Sequence, residues 1–206
     1  MDIQCKAILF DMDGTLVDST ACVEGLWGTW AAQNGVDLAY LLSISHGRRT
    51  VDTVREIAPH LDAEAEAKAL ELLELDARDG IVAVRGALET LQALHPKQWA
   101  VVTSAPRALA TIRLQTAGLP VPQLLIGAED VQRGKPDPEG YLKAAAGLGV
   151  APEDCVVVED TPAGLNAGRA AGMRVLAITT TYDASYLLGA DAVPDYTDVR
   201  FVLPSL

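Results

Sequence analysis

The sequence predicts an α/β fold: a parallel sheet flanked by helices, with a helical bundle inserted after the first strand. Three observations carry this. Short apolar runs recur along the chain, helical patterns of roughly 10–15 residues separate most of them, and one long stretch breaks the alternation with helices alone. A length of 206 residues suits one domain carrying a modest insertion. Half of the residues are hydrophobic but only 5% are aromatic, so Val, Leu, Ile and Ala must build the core.

The run Ala7-Ile8-Leu9-Phe10, ending in acidic residues and Gly14, reads as a buried strand. Similar runs occur at Trp99–Thr103, Gln123–Ile126, Cys155–Glu159 and Arg174–Ile178. Helices between them carry their own punctuation. Pro106, Pro138 and Pro162 suit first helical positions, and Gly118, Gly149 and Gly172 suit the residue just past the end. From about Leu16 to Val84 the pattern is helical. Val23, Leu26, Trp27 and Trp30 form one stripe, and Val51, Val54 and Ile57 a second. Asp62 can cap a third helix with Leu70, Leu73 and Ala77 on one face. The expected division is a core of 1–15 and 85–206 with a helical lid of 16–84.

Sixteen Lys and Arg against 28 Asp and Glu leave a net charge of −12, which repels nucleic acid, and no basic cluster offsets it. No apolar run approaches the length of a membrane span, and Met1–Phe10 lacks the apolar stretch of a signal peptide. Cys5, Cys22 and Cys155 are odd in number and widely spaced, reading as buried thiols of a cytoplasmic protein rather than as a disulfide framework. Nothing demands more than a monomer.

Ligands of a parallel sheet bind beyond the carboxyl ends of its strands, so those ends are where chemistry is sought. After the first strand come Asp11 and Asp13, two residues apart and able to face one pocket. Two carboxylates about 4 Å apart repel by roughly 4 kcal/mol at an effective dielectric of about 20. The pair persists if one holds a proton or a cation lies between them. Gly14 comes too early for a calcium loop of the EF-hand type. A second acidic pair, Glu159-Asp160, ends another strand, and Thr161-Pro162-Ala163-Gly164 opens the next helix. Together the pairs offer hard oxygen donors suited to magnesium, with a substrate phosphate completing the shell. Thr103-Ser104 closes a third strand with a hydroxyl and a backbone N–H near a helix start, a favourable place for an anion. Lys135 adds a cation in the loop Arg133-Gly134-Lys135-Pro136-Asp137-Pro138.

An acidic pair, a hydroxyl, a lysine and a second acidic pair, in that order, resemble the four signature segments of haloacid dehalogenase superfamily phosphatases with a helical cap. The resemblance spans nearly the whole chain and lies nearest the sugar-phosphate phosphatase, glycerol phosphatase and β-phosphoglucomutase branch. Its most specific segment is Asp11 to Ser19. In the inserted stretch, Ile44-Ser45-His46-Gly47-Arg48-Arg49-Thr50 is similar to the matching part of glycerol-1-phosphate and 2-deoxyglucose-6-phosphate phosphatases. The resemblance implies a Rossmann-like core and hydrolysis of a small phosphorylated metabolite with Mg2+ as cofactor.

Carried over residue by residue, it implies that Asp11 attacks phosphorus and forms an aspartyl-phosphate. Asp13 would protonate the leaving oxygen and then take a proton from water, its crowded neighbours raising its pKa. Magnesium would be held by the Asp11 and Asp160 side chains and the Asp13 carbonyl, with Glu159 acting through water. Thr103, the Ser104 N–H and Lys135 would grip the phosphoryl oxygens. His46 and Gly47 are expected to touch substrate; Arg48 and Arg49 share that loop, where they either reach the substrate or merely offset the acidic surface. His60 and His95 are expected to be exposed.

Related chemistries fit less well. A halide needs no acid at Asp13, and a phosphonate-cleaving relative needs a cap lysine, where the only candidate is Lys68. A mutase would return the phosphoryl group to a second hydroxyl. A receiver-like phospho-switch also places acids, a hydroxyl and a lysine at strand ends, but does not normally carry a helical insertion there.

Overall fold

The computed structural model describes residues 1–205. In chain order the strands and helices are β1 (Asp2–Gln4), β2 (Ala7–Phe10), β3 (Val17–Asp18), α1 (Thr20–Asn34), α2 (Leu38–Ser45), α3 (Thr50–Ile57) and α4 (Ala63–Asp76). Then come β4 (Val82–Ala83), α5 (Ala87–Gln92), β5 (Trp99–Val102), α6 (Arg107–Thr116), β6 (Leu125–Ile126) and α7 (Glu139–Leu148). The chain finishes with β7 (Cys155–Glu159), α8 (Pro162–Ala170), β8 (Arg174–Ile178), β9 (Asp191–Val193) and β10 (Arg200–Val202).

Six strands form one parallel sheet in the order β6-β5-β2-β7-β8-β9. Alternate side chains of its strands feed two apolar layers. Ile8, Phe10, Val156 and Val158 join Leu91, Leu109 and Leu114 on one face. Ala7, Leu9, Cys155 and Val157 join Tyr141, Ala144, Ala145 and Ala167 on the other. The strand order reverses at β2, the kind of switch point at which open α/β sheets bind ligands. The segments after β2, β5 and β7, which are neighbours in the sheet, therefore converge on one edge.

Between β3 and β4, which pair antiparallel, the chain forms four helices rather than the three expected. The additional one is α2. Its run Leu38-Ala39-Tyr40-Leu41-Leu42 has no spaced stripe, and only Leu41 of these is buried, yet Asp37 caps it by accepting the Tyr40 N–H at 2.7 Å. Trp27 and Trp30 meet edge-to-face at 5.5 Å, and with Leu41, Val54 and Leu70 they make a separate apolar cluster. The expected face of α4 is corrected at Leu73, which is 56% exposed, because α4 buries Ala63, Ala67 and Leu70 instead. Asp62 caps α4 as expected, accepting from Glu64 and Ala65 at 3.2 Å.

Leu16, Val17, Ile81 and Val84 pack into the layer beneath Phe10 and Trp99, so both ends of the helical segment are anchored in the core. Pro162 opens α8 as expected, whereas Pro106 and Pro138 stand one residue ahead of α6 and α7. The run at Gln123–Ile126 forms a strand only over Leu125–Ile126, and that at Trp99–Thr103 ends at Val102. Cys5 and Cys155 are buried, Cys22 is half-buried, and all three are free thiols. His60 and His95 are exposed. Among the described residues no helix is long and apolar enough to cross a membrane.

Candidate active site

Asp11 follows β2 directly, its N–H donating to the Val158 carbonyl of β7 at 2.9 Å. The chain then turns tightly: the N–H groups of Leu16 and Val17 both donate to Met12 O, at 2.8 and 2.9 Å. Gly14 makes this turn at φ = 81°, and a Cβ there would lie 1.9 Å from Asp160 Oδ2. Glycine thus lets the loop press against the end of β7.

Asp11, Glu159 and Asp160 are buried, and each presents a carboxylate oxygen within 4.8 Å of the others. Lys135 is buried among them, in contact with Asp11 Oδ1 and 2.6 Å from Glu159 Oε1. Glu159 spends both oxygens: Oε1 takes Lys135 and the Tyr141 hydroxyl (3.1 Å), while Oε2 takes the N–H groups of Asp160 and Thr161 and the Thr161 hydroxyl. Asp160 accepts from the hydroxyls of Thr15 and Thr181 and, among the described residues, from no cationic side chain.

Three carboxylates therefore share one ammonium. Burial pushes Asp11 up to about 7, opposed by Lys135 and reinforced by Glu159. Burial and the neighbouring charges of Glu159 and Asp11 hold Asp160 well above the usual carboxylate range. Burial pulls Lys135 down, but Asp11 and Glu159 outweigh it and hold the ammonium charged. Excess negative charge on hard oxygen donors is the chemistry that a magnesium-like cation satisfies, so the residues fit such an ion.

Asp13 enters the same cavity at a half-exposed position. The Ser19 hydroxyl donates to its Oδ1 at 2.6 Å, and Arg113 Nη1 lies 2.8 Å from its Oδ2. The neighbours in direct contact with Asp13 are thus a hydroxyl and a buried guanidinium. Thr103 and Ser104 line the cavity with Asp11, Asp13 and Asp160. The Thr103 hydroxyl accepts the Ala105 N–H at 3.1 Å, and the Ser104 hydroxyl donates to the Gly47 carbonyl at 2.8 Å.

That last bond brings the 44–50 segment over the sheet edge. A Cβ on Gly47 would sit 2.3 Å from Thr161 Oγ1, so only glycine permits the approach. His46 lines the cavity, 3.4 Å from Glu24 and edge-on to Tyr182. Burial lowers its pKa against the pull of Glu24. Arg48 also lines the cavity and pairs with Glu56 at 2.8 Å. Arg49 turns away, gripping Asp52 and reaching Val131 O beside the lysine loop at 3.3 Å. Lys68 is exposed on α4.

All of the proposed residues around Asp11 thus meet at one edge. Sequence reasoning missed Arg113, Glu74, Tyr141, Thr15 and Thr181. For Arg113 a signal existed, an arginine on a helix face otherwise made of Leu109, Ala110 and Leu114. For Thr15 a signal also existed, its place inside the Asp11–Ser19 segment, whereas Thr181 had none, since a lone threonine in a loop carries no pattern.

Residues 5–172 match the family model for haloacid dehalogenase-like hydrolases. Hexitol phosphatase A of Escherichia coli is 41% identical over 196 residues, covering 93% of this chain and 91% of the relative. Glycerol-1-phosphate phosphohydrolase 2 of Saccharomyces cerevisiae is 35% identical over 200 residues, covering 91% and 80%. The crystal structure of a hydrolase from Pseudomonas syringae superposes with a TM-score of 0.81 at 25% identity, covering 91% of this chain and 92% of that one. With that match across sequence and fold, the chain belongs to the haloacid dehalogenase-like hydrolase family.

Proposed function

We propose that the chain, a phosphoric monoester hydrolase of this superfamily, releases inorganic phosphate from a small sugar or polyol monophosphate through an aspartyl-phosphate. The observation that carries the reading is the meeting of Asp11, Lys135 and Asp160 in one buried cluster beside Asp13. The names of the similar phosphatases support the substrate class.

In this reading the Asp11 carboxylate attacks phosphorus while Asp13 delivers a proton to the departing alkoxide. An alcohol and an acyl phosphate result, so the hard displacement is split in two. Water then attacks the phosphorus of the acyl phosphate, Asp13 accepts its proton, and Asp11 is regenerated. Lys135, Thr103 and the Ser104 N–H steady the phosphoryl oxygens, and Glu159 holds Lys135 in place. The side chains of Asp11 and Asp160 and the Asp13 carbonyl would hold magnesium. When bound, that ion supplies positive charge that keeps the carboxylates ionised and offsets the substrate dianion.

The helices of 16–84 act as a cap over the core of 1–15 and 85–206. His46 and Gly47 touch the leaving group, and the cap keeps water from the cleft. The chain is proposed to act as a monomer, and its three free thiols suit the cytoplasm.

The test is a phosphate-release screen over sugar, polyol and nucleotide monophosphates, with magnesium and with chelator. Release from a polyol or hexose phosphate that chelator abolishes is the expected result. Conversion of glucose 1-phosphate to glucose 6-phosphate without free phosphate would replace hydrolysis by a mutase reaction. A stable phosphoprotein without turnover would replace it by a switch.

A further inference from the structure

Among the described residues, the buried side-chain polar atoms lacking a hydrogen-bond partner are Ser45 Oγ and Arg113 Nε and Nη2, and both residues line the catalytic cavity. Arg113 is the unusual one. Its side chain is 4% exposed on a helix face otherwise apolar, where leucine or methionine would fill the space without desolvating a cation. The desolvation of a guanidinium kept there must be offset by what it touches.

It touches two carboxylates from different parts of the fold. Nη1 lies 2.8 Å from Asp13 Oδ2, in the loop after β2. Nη2 lies 3.4 Å from Glu74 Oε1 on α4, close enough for attraction but without hydrogen-bond geometry. Ser19 Oγ holds the other Asp13 oxygen at 2.6 Å. With one partner on each oxygen, the Asp13 carboxylate has a single orientation. Proton transfer to a leaving oxygen demands that kind of placement, since an error of about 1 Å can cost a hundredfold in rate.

From this arrangement we infer that Arg113 is a positioning residue: it orients Asp13 for proton transfer and, through Glu74, makes that orientation depend on the seating of α4 against the core. The inference rests on the proposed role of Asp13. Arg113 is placed to act through that carboxylate, so its effect depends on how much the leaving group needs a proton.

The experiment compares kcat/KM, which reports the first displacement, for two substrates. One is p-nitrophenyl phosphate, whose leaving group departs without help. The other is the alkyl phosphate that ranks first in the release screen. Proton transfer by a positioned side chain contributes about 10²–10⁴-fold, so R113Q should lower kcat/KM on the alkyl phosphate by roughly tenfold or more and on p-nitrophenyl phosphate by less than about threefold. R113K should recover part of the difference, and E74Q should show the same selectivity with a smaller loss. Should R113Q fail to fold by circular dichroism, R113K and E74Q decide alone.

D13N, measured alongside, separates the two ideas. If D13N is selective while the Arg113 and Glu74 variants lose both substrates equally, the positioning role is overturned and the proton shuttle stands. If D13N itself loses both equally, the shuttle reading fails and the inference with it.

Discussion

Lys135 sets its ammonium 2.6 Å from Glu159 Oε1 and against Asp11, and it is the one cation in contact with the three-carboxylate cluster among the described residues. With all three acids ionised the cluster carries two surplus negative charges, buried. The ionised form that the proposed nucleophilic role of Asp11 requires is therefore the form that costs folding stability.

Asp11→Asn should abolish phosphate release and, at pH 8 without divalent cation, raise the melting temperature. Burial lifts Asp11 from 3.8 to about 7, so its ionisation costs stability increasingly as pH climbs from about 4 through 7, and above that the cost is complete. The amide removes it. Each kcal/mol is worth about 2–4 °C for a chain of this size, and a gain of several degrees is expected by calorimetry. Magnesium should raise the melting temperature of the wild type more than that of the variant. A variant that melts lower at pH 8 would contradict this.

Gly164→Ala should be far more damaging than its helical position suggests. A Cβ there would lie 1.6 Å from Glu159 Oε1, the atom that receives Lys135. Overpacking of this kind costs typically about 1–3 kcal/mol, and the carboxylate cannot yield without releasing the lysine. Loss of more than about 90% of kcat/KM, with a lowered denaturant midpoint, is expected. An active variant would mean that Glu159 does not place Lys135.

Ser104→Ala keeps the backbone N–H but removes the hydroxyl bond to Gly47 at 2.8 Å, a tie between the β5 loop and the 44–50 segment. A single hydrogen bond contributes about 0.5–1.5 kcal/mol. The urea midpoint should therefore fall by the equivalent of at most about 1.5 kcal/mol, and KM for the preferred substrate should rise by up to roughly tenfold as the tie over the cleft is released. Steady-state kinetics beside a urea titration would show whether the effect falls on binding or on folding.

His46→Gln should flatten the loss of stability on acidification. Burial lowers the folded pKa of His46 below 6.5, so between 6.5 and that lower value the unfolded chain binds a proton that the folded chain refuses. Stability from this residue is present above 6.5 and lost as pH falls through the folded value. Urea midpoints at pH 7.5 and 5.5 should fall further apart for the wild type than for the variant. Equal differences would remove His46 from the account.

The parts legible in the sequence are those where one physical cause acts alone. β7 and β8 were readable because an apolar run of buried strand length has few alternatives, and α7 and α8 because proline and glycine punctuate them. Asp11, Lys135 and Asp160 could be grouped because each follows a strand of one parallel sheet. What escaped depends on partners distant in sequence. β3 and β4 are two residues long and gain their identity only from pairing with each other. β1 is likewise set by β10, almost two hundred residues away. Arg113 could be seen as an anomaly on α6, yet nothing local discloses that Asp13 and Glu74 meet it.

The short ribbon of β3 and β4 has a further consequence. Because Val17 pairs with Ala83 and Asp18 with Val82, the chain departs from the sheet and comes back at the same doorway. Whatever lies between can be lengthened, shortened or exchanged for another bundle without rethreading the six parallel strands. On the proposed reading, in which the cap sets selectivity and the core carries the hydrolysis, the two can accordingly diverge as separate modules, one swapped at the doorway while the other is inherited intact.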